Sequence, residues 1–320
     1  MALAVNFHDR LAHDDSASLR DEVLAGFAAG PKRLAPKFFY DRRGSELFEQ
    51  ITRLPEYYLT RTEEGILASA ADDIADRLGR DVTLVELGSG ASRKVRLLLE
   101  ALRPARYLGI DISRDFLLSS TQRLADDYPW LNVHALHADF SHPLALPRPL
   151  DDGRPVAFFP GSSIGNFTPN EARIFLRNLH RLLPRGGGLL IGVDLAKDPR
   201  ILEAAYNDSA GVTAAFNLNL LQRIRRELDT DLDPSRFRHH AFYNEAQSRI
   251  EMHLLSTRPQ TVRVEGRRFM FRDGESLHTE NSCKYSIDAF RELAGSSGFR
   301  PAALWTDPQQ WFSVHYLTRE

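Results

Sequence analysis

The chain has 320 residues, a formal net charge of −2 and a hydrophobic fraction of 42%. That length leaves room for about two domains, and the balance of 41 basic against 43 acidic side chains excludes the broad positive field that nucleic acid or an anionic membrane would need. Cys283 is the only cysteine, which excludes an intrachain disulfide and leads us to expect a reducing, cytoplasmic setting.

The stretch Met1–Asp15 turns acidic and polar before a signal-peptide apolar run can develop. No apolar run approaches the length of a membrane span. Val82–Leu87 is a short apolar run that leads into a glycine-rich turn, a strand signature. Ser92–Leu102 then shows helical spacing through Val95, Leu98, Leu99 and Leu102. Arg106–Asp111 reads as a second strand, with Ser113 placed to cap the helix that runs to about Asp127. Leu131–His137 and Pro155–Pro160 supply two more strands. Thr168-Pro169-Asn170-Glu171 is a helix start, a capping box with proline at the first helical position. Phe175, Leu176, Leu179, Leu182 and Leu183 follow on one face, and Gly186–Gly188 stops the helix. Gly188–Val193 is the fifth strand. After a helix capped by Ser286, Ala302–Thr306 and Trp311–Leu317 flank an Asp307-Pro308 turn and read as a strand hairpin.

Strands alternating with helices imply a parallel sheet with helices on both faces. With the terminal antiparallel hairpin, this α/β pattern resembles the Rossmann-like sheet of class I methyltransferases. The stretch from Lys197 to Cys283 is too long for a loop. It carries helical patterning from Asp198-Pro199 and over Val212–Leu228, then strand-like runs at Arg249–Leu255, Thr261–Val264 and Arg267–Phe271. Arg223, Arg225 and Arg226 alternate with acids and read as a solvated helix face. The expected division is a cofactor-binding methyltransferase domain over 76–196 and 284–320, and an α+β lid or substrate-binding domain over 1–75 and 197–283.

Ligands of open α/β sheets bind at the carboxyl ends of the strands. Glu86-Leu87-Gly88-Ser89-Gly90 lies at such an end, where glycines allow close backbone approach. A dinucleotide fingerprint requires a third glycine three residues later, and Arg93 stands there. S-adenosyl-L-methionine lacks a pyrophosphate, so the turn fits that cofactor better than a nicotinamide. Asp111, at the end of the second strand, is placed to accept from both ribose hydroxyls. Asp139-Phe140, after the third strand, offers an acceptor for an adenine amine and a ring for its face.

Phe159–Phe167 (FPGSSIGNF) is unusual at the end of a fourth strand. Together with Phe38–Asp41, Ile51–Thr60, Glu86–Lys94, Tyr206-Asn207-Asp208, Ala210–Asn217, Ile250-Glu251-Met252 and Thr279–Tyr285, it resembles the histidine Nα-methyltransferases of ergothioneine biosynthesis. The likeness runs from about residue 35 to the C-terminus. It implies three successive methyl transfers from S-adenosyl-L-methionine to the α-amino nitrogen of free histidine, giving the betaine hercynine. It also implies that Asn166 holds the substrate amino group and carboxylate, and that Tyr206 bonds the carboxylate. Glu280 and Ser282 would grip the imidazole, Met252 would line its pocket, and Tyr57 would approach the ring, with Tyr58 as the neighbouring alternative. Gly88, Lys94, Asp111, Asp139 and Phe140 would hold the cofactor, with Tyr40 beside its methionine end and in the catalytic group with Asn166. The family implies a monomer; no metal, nucleic acid or membrane partner is expected. Two rival readings are methylation of another aromatic amino acid and a non-catalytic cofactor-binding protein. Met252, Glu280 and Ser282 argue against the first, Asn166 and Tyr206 against the second.

Overall fold

The computed structural model describes residues 5–11, 15–148, 150 and 154–319. Residues 1–4 and 12–14 of the polar N-terminal stretch lie outside them. Two compact units emerge: residues Met1–Leu11, Leu59–Ala196 and Cys283–Glu320 in the first, Ala12–Tyr58 and Lys197–Ser282 in the second.

In chain order the strands are β1 (Asn6–Asp9), β2 (Lys32–Arg33), β3 (Val82–Leu87), β4 (Arg106–Asp111), β5 (Asn132–His137), β6 (Arg154–Phe159) and β7 (Gly188–Asp194). They continue with β8 (Phe237–Asn244), β9 (Arg249–Ser256), β10 (Gln260–Val264), β11 (Arg267–Phe271), β12 (Ser276–Cys283), β13 (Arg300–Thr306) and β14 (Phe312–Thr318).

The first unit holds an eight-stranded sheet in the order β1-β5-β4-β3-β6-β7-β14-β13. Strands β1, β5, β4, β3, β6 and β7 pair in parallel, and β14 runs antiparallel to both β7 and β13. This is the α/β sheet of a class I methyltransferase, ending in antiparallel strands. The central strands read as near-continuous apolar runs because both faces are covered; every residue of β3 is buried. On one face Leu87, Phe159, Ile191 and Val193 pack against Phe175, Leu176 and Leu179 of the helix Pro169–Leu182 and against Phe290 and Leu293. That helix carries the expected capping box, Thr168 Oγ1 accepting from Glu171 N and Glu171 from Thr168 N.

Several local expectations change. Ser113 occupies the N-cap of the helix Arg114–Asp127 but its side chain makes no capping bond. The helix after β3 begins at Arg93, preceded by Ser92 in the left-handed region. The N-terminal segment is shared between the units. Asn6–Asp9 adds an eighth strand by pairing with His134–His137, and the helices that follow Tyr58, up to Leu78, belong to the sheet unit. The division expected from the sequence assigns residues 1–75 as a whole to the substrate-binding domain.

The second unit contains a four-stranded sheet, β2-β12-β9-β8, and the separate antiparallel hairpin β10-β11. The helices Pro199–Tyr206 and Val212–Glu227 pack on β8 and β9. Arg223 is not on a solvated face: it is buried, donates to the Phe38 carbonyl at 3.2 Å and pairs with Glu227. Arg226 pairs with Asp41 at 2.7 Å. Asp41, from the Phe38–Asp41 segment, also caps the next helix through Gly44 N and accepts from Asn219. Among the described residues no helix is long and apolar enough to cross a membrane.

Candidate active site

In the first unit the chain leaves β3 toward β4 and β5, then returns past β3 to β6 and β7, so the order reverses between β3 and β6. Ligand crevices open at the carboxyl ends of strands at such a reversal. Gly88, Gly90 and Ser92 all adopt positive φ there, which swings the backbone into a tight turn. The Phe140 ring lies against Gly88, 3.4 Å from where a Cβ would stand, so a side chain at 88 would be strained and crowded. The turn is tied to β4 by Gly88 N and Ser89 N, which donate to Ile110 O at 2.8 and 3.1 Å.

Asp111 bridges two strand ends. Its carboxylate accepts from Gly90 N and from Ser113 N, each at 2.9 Å. Burial raises its pKa, and these backbone donors oppose the rise. Each carboxylate oxygen keeps a second lone pair for a ligand. Glu86 is buried beneath the turn, and Tyr107 donates to it at 2.5 Å. Burial pushes its carboxyl up to about 8 against the Tyr107 bond and the Lys94 charge. Asp139 is committed to its own turn, accepting from Ser141 N at 2.9 Å. Acids at successive strand ends, an aromatic ring on the turn and no third glycine suit a cationic adenosine cofactor without pyrophosphate.

Lys94 does not stand alone. Its Nζ lies 2.5 Å from Glu63 Oε2, and Glu63 is fully buried. Both Glu63 oxygens also accept from Gly161 N, at 3.0 and 2.8 Å. The same carboxylate lies over Gly192 of β7, where a Cβ would fall 2.0 Å from Oε1. One side chain thus joins the helix after β3, the loop after β6 and the end of β7. Sequence reasoning missed Glu63, because a helical glutamate reads as solvated. The glycine inside the apolar run of β7 was the available signal, since an interior strand glycine marks close approach.

The loop begun by Gly161 passes through Ser162, whose backbone is left-handed and whose hydroxyl accepts from Asp194 N at 2.9 Å. It ends in a 3₁₀ turn, Ser163–Asn166. Asn166 is half-buried, and among the described residues its amide has no hydrogen-bond partner. Asp194 forms a fully buried ion pair with Lys284 at 2.7 Å.

The second unit gathers the other expected residues. Tyr206 donates to Ser282 at 2.7 Å, and both are buried. The Tyr57 ring meets Tyr206 edge-on at 6.3 Å. Tyr58 instead accepts from Lys197 at 2.6 Å, so the two neighbouring tyrosines have different surroundings. Tyr40 packs edge-on against Phe48 and Phe216. Glu280 and Met252 are buried on β12 and β9. Behind them runs a polar chain that the sequence did not reveal. Thr279 Oγ1 donates to Asn217 Oδ1 and lies 3.0 Å from Met252 O, Asn217 Nδ2 donates to His239 Nδ1, and His239 Nε2 donates to Tyr206 O. Burial holds His239 below its usual pKa, consistent with this neutral tautomer.

The family described as "Histidine-specific methyltransferase, SAM-dependent" matches residues 19–319. A histidine N-alpha-methyltransferase from Mycolicibacterium smegmatis is 42% identical over 325 residues, covering 99% of this chain and 100% of that protein. One of the same name from Mycobacterium tuberculosis is 42% identical over 91% of each chain. Ergothioneine biosynthesis protein 1 of Neurospora crassa is 32% identical across 94% of this chain and 35% of its own length. The chain belongs to the SAM-dependent, histidine-specific methyltransferases.

Proposed function

We propose that the chain is a histidine Nα-methyltransferase that converts free L-histidine to hercynine in three successive transfers, as a step in ergothioneine biosynthesis. The observation that supports histidine above other amino acids is the buried polar strand β12, with Glu280 8% and Ser282 4% exposed. A site that pairs with a ring nitrogen rejects rings that lack one, whereas an apolar pocket discriminates weakly.

In this reading Gly88, Asp111, Asp139 and Phe140 hold S-adenosyl-L-methionine, Lys94 acts through its ion pair with Glu63, and Tyr40 lies beside the methionine end. When bound, the cofactor supplies an electrophilic methyl group on a sulfonium. Asn166 accepts from the substrate amine in its neutral form, leaving the nitrogen lone pair free for in-line attack. A carboxylate in that position would favour the ammonium form, because α-amino groups titrate near 8. The proton leaves to solvent before each transfer, and positioning supplies most of the rate. Tyr206 and Asn166 take the carboxylate, Glu280 and Ser282 the imidazole, Met252 its flat side and Tyr57 its edge. The domain roles follow the same reading, with cofactor on the sheet unit and substrate selection on the second. A monomer working in the cytoplasm completes it.

The test is incubation with S-adenosyl-L-methionine and a panel of amino acids, read by mass over time. Histidine should gain three methyl groups, and mono- and dimethylhistidine should be consumed. A course that stalls at one methyl group with cofactor in excess, or a preference for phenylalanine or tryptophan, would overturn the reading.

A further inference from the structure

Beyond the methyl-transfer site, the second unit contains a cluster that no step above uses. Glu251 and His253 on β9 and His278 on β12 each offer one ligand atom, all within 4.8 Å of one another. Glu251 Oε2 lies 3.0 Å from His253 Nε2. Two ligands around a tetrahedral ion with bonds of about 2.0–2.2 Å are separated by about 3.3 Å, so little movement is needed.

The surrounding hydrogen bonds determine which lone pairs are available. Ionised Glu251 only accepts, so His253 Nε2 carries the proton between them. His253 Nδ1 then accepts from the Ser276 hydroxyl at 2.5 Å. His278 Nε2 donates to Asn281 Oδ1 at 2.9 Å, which leaves the other nitrogen of that imidazole unprotonated. The far oxygen of Glu251 is held by Arg249 at 2.7 Å and Asn244 at 2.9 Å. A shift of the His253 proton from Nε2 to Nδ1, which then donates to the Ser276 hydroxyl oxygen, therefore presents two neutral imidazoles and one carboxylate with no net loss of a proton, each already oriented from behind. Such outer partners are what fix ring orientation and tautomer in metal centres. The Glu251 and His253 side chains are only 10% and 12% exposed, and His278 is partly exposed and gives a route in.

We propose that Glu251, His253 and His278 bind one divalent transition-metal ion of the zinc type, with water completing its coordination. Two imidazoles and a carboxylate favour zinc over magnesium or calcium, which prefer all-oxygen sites. The Arg249 guanidinium opposes the added charge, so the ion is held less tightly than in an all-thiolate structural centre. The ion cross-links β9 to β12, the strand that also carries Glu280 and Ser282. No metal is expected from the sequence, because the three residues come from two strands and show no ligand motif.

The test uses the full-length chain stripped with EDTA and dialysed. Zinc is titrated by calorimetry, and cobalt by visible absorption. One ion per chain and intense tetrahedral cobalt bands are expected. Ser276→Ala should weaken zinc binding by about 10–100-fold, the usual cost of an outer partner. His253→Ala/His278→Ala should abolish the cobalt bands, with circular dichroism as the folding control. Absence of zinc uptake by the wild type, or weak octahedral cobalt bands, would overturn the proposal without any variant. An unchanged spectrum in the folded double variant would also overturn it and place the ion elsewhere, with His8 and His134 as the next candidates.

Discussion

Replacing Glu63 by alanine removes two things at once. Gly161 N loses an acceptor at 2.8 Å, and Lys94 loses its counter-ion at 2.5 Å. A stranded buried N–H costs about 1–3 kcal/mol, and breaking a buried pair costs about 3–5 kcal/mol in all. The Lys94 side chain is 17% exposed, so water recovers part of its solvation and the total should fall near the low end, about 3 kcal/mol. A domain with about 5–15 kcal/mol of stability remains folded after such a loss. Urea denaturation of Glu63→Ala, Lys94→Ala and the double variant measures this directly. The double variant should be less destabilised than the sum of the singles by about 1–3 kcal/mol. Because Gly161 begins the loop that ends at Asn166, Glu63→Ala should also lower histidine kcat/KM. Additive energies within about 0.5 kcal/mol, or a single-variant loss below about 1 kcal/mol, would refute the ion-pair account.

Asp111→Ala should weaken S-adenosyl-L-methionine and S-adenosylhomocysteine binding by about 1.5–3 kcal/mol, the scale of a charge-assisted bond; unchanged affinity by calorimetry in a folded variant would remove Asp111 from the site. Glu280→Ala should cost histidine about 1–3 kcal/mol in kcat/KM while other aromatic amino acids lose little. A mixed-substrate competition assay reads the difference, and an intact histidine preference would locate selectivity elsewhere. Glu86 provides a pH test, since its folded pKa is raised from 4.5 to about 8. The folded chain keeps a proton that the unfolded chain releases, so the contribution is full below pH 4.5 and is lost as pH rises toward 8. The slope is at most about 1.4 kcal/mol per pH unit. Glu86→Gln should flatten it, and equal slopes in both chains would contradict the assignment.

The parallel core was legible because its strands are buried on both faces, which turns Val82–Leu87 and Gly188–Val193 into unbroken apolar runs. Strand β12 was not legible, since Thr279, Glu280 and Ser282 are polar yet buried, and Thr279 and Ser282 meet partners on helices and a neighbouring strand far away in sequence. Asn6–Asp9 was hidden for the opposite reason: it is a short edge strand, partly exposed, with no apolar signature. The cofactor turn could be read from glycines and acids at strand ends. That Asp111 spends both oxygens on backbone donors could not, because those bonds depend on the exact path of two loops. Single charged residues such as Glu63 and Arg223 were the least readable, because burial by tertiary partners leaves no periodic trace.

The place of β14 in the sheet has a consequence for biosynthesis. Residues Phe312–Thr318 sit between β7 and β13, although they come late in the sequence. A ribosome that has not yet released them holds a nascent sheet whose Gly188–Asp194 strand presents an open row of unpaired amides and carbonyls. Such an edge invites pairing with other chains. Residues 197–282, by contrast, emerge with most of their own sheet already available. The nascent chain therefore passes through a stage in which the second unit can form while the first still waits for its last interior strand, and chaperone dependence should be greatest in that interval.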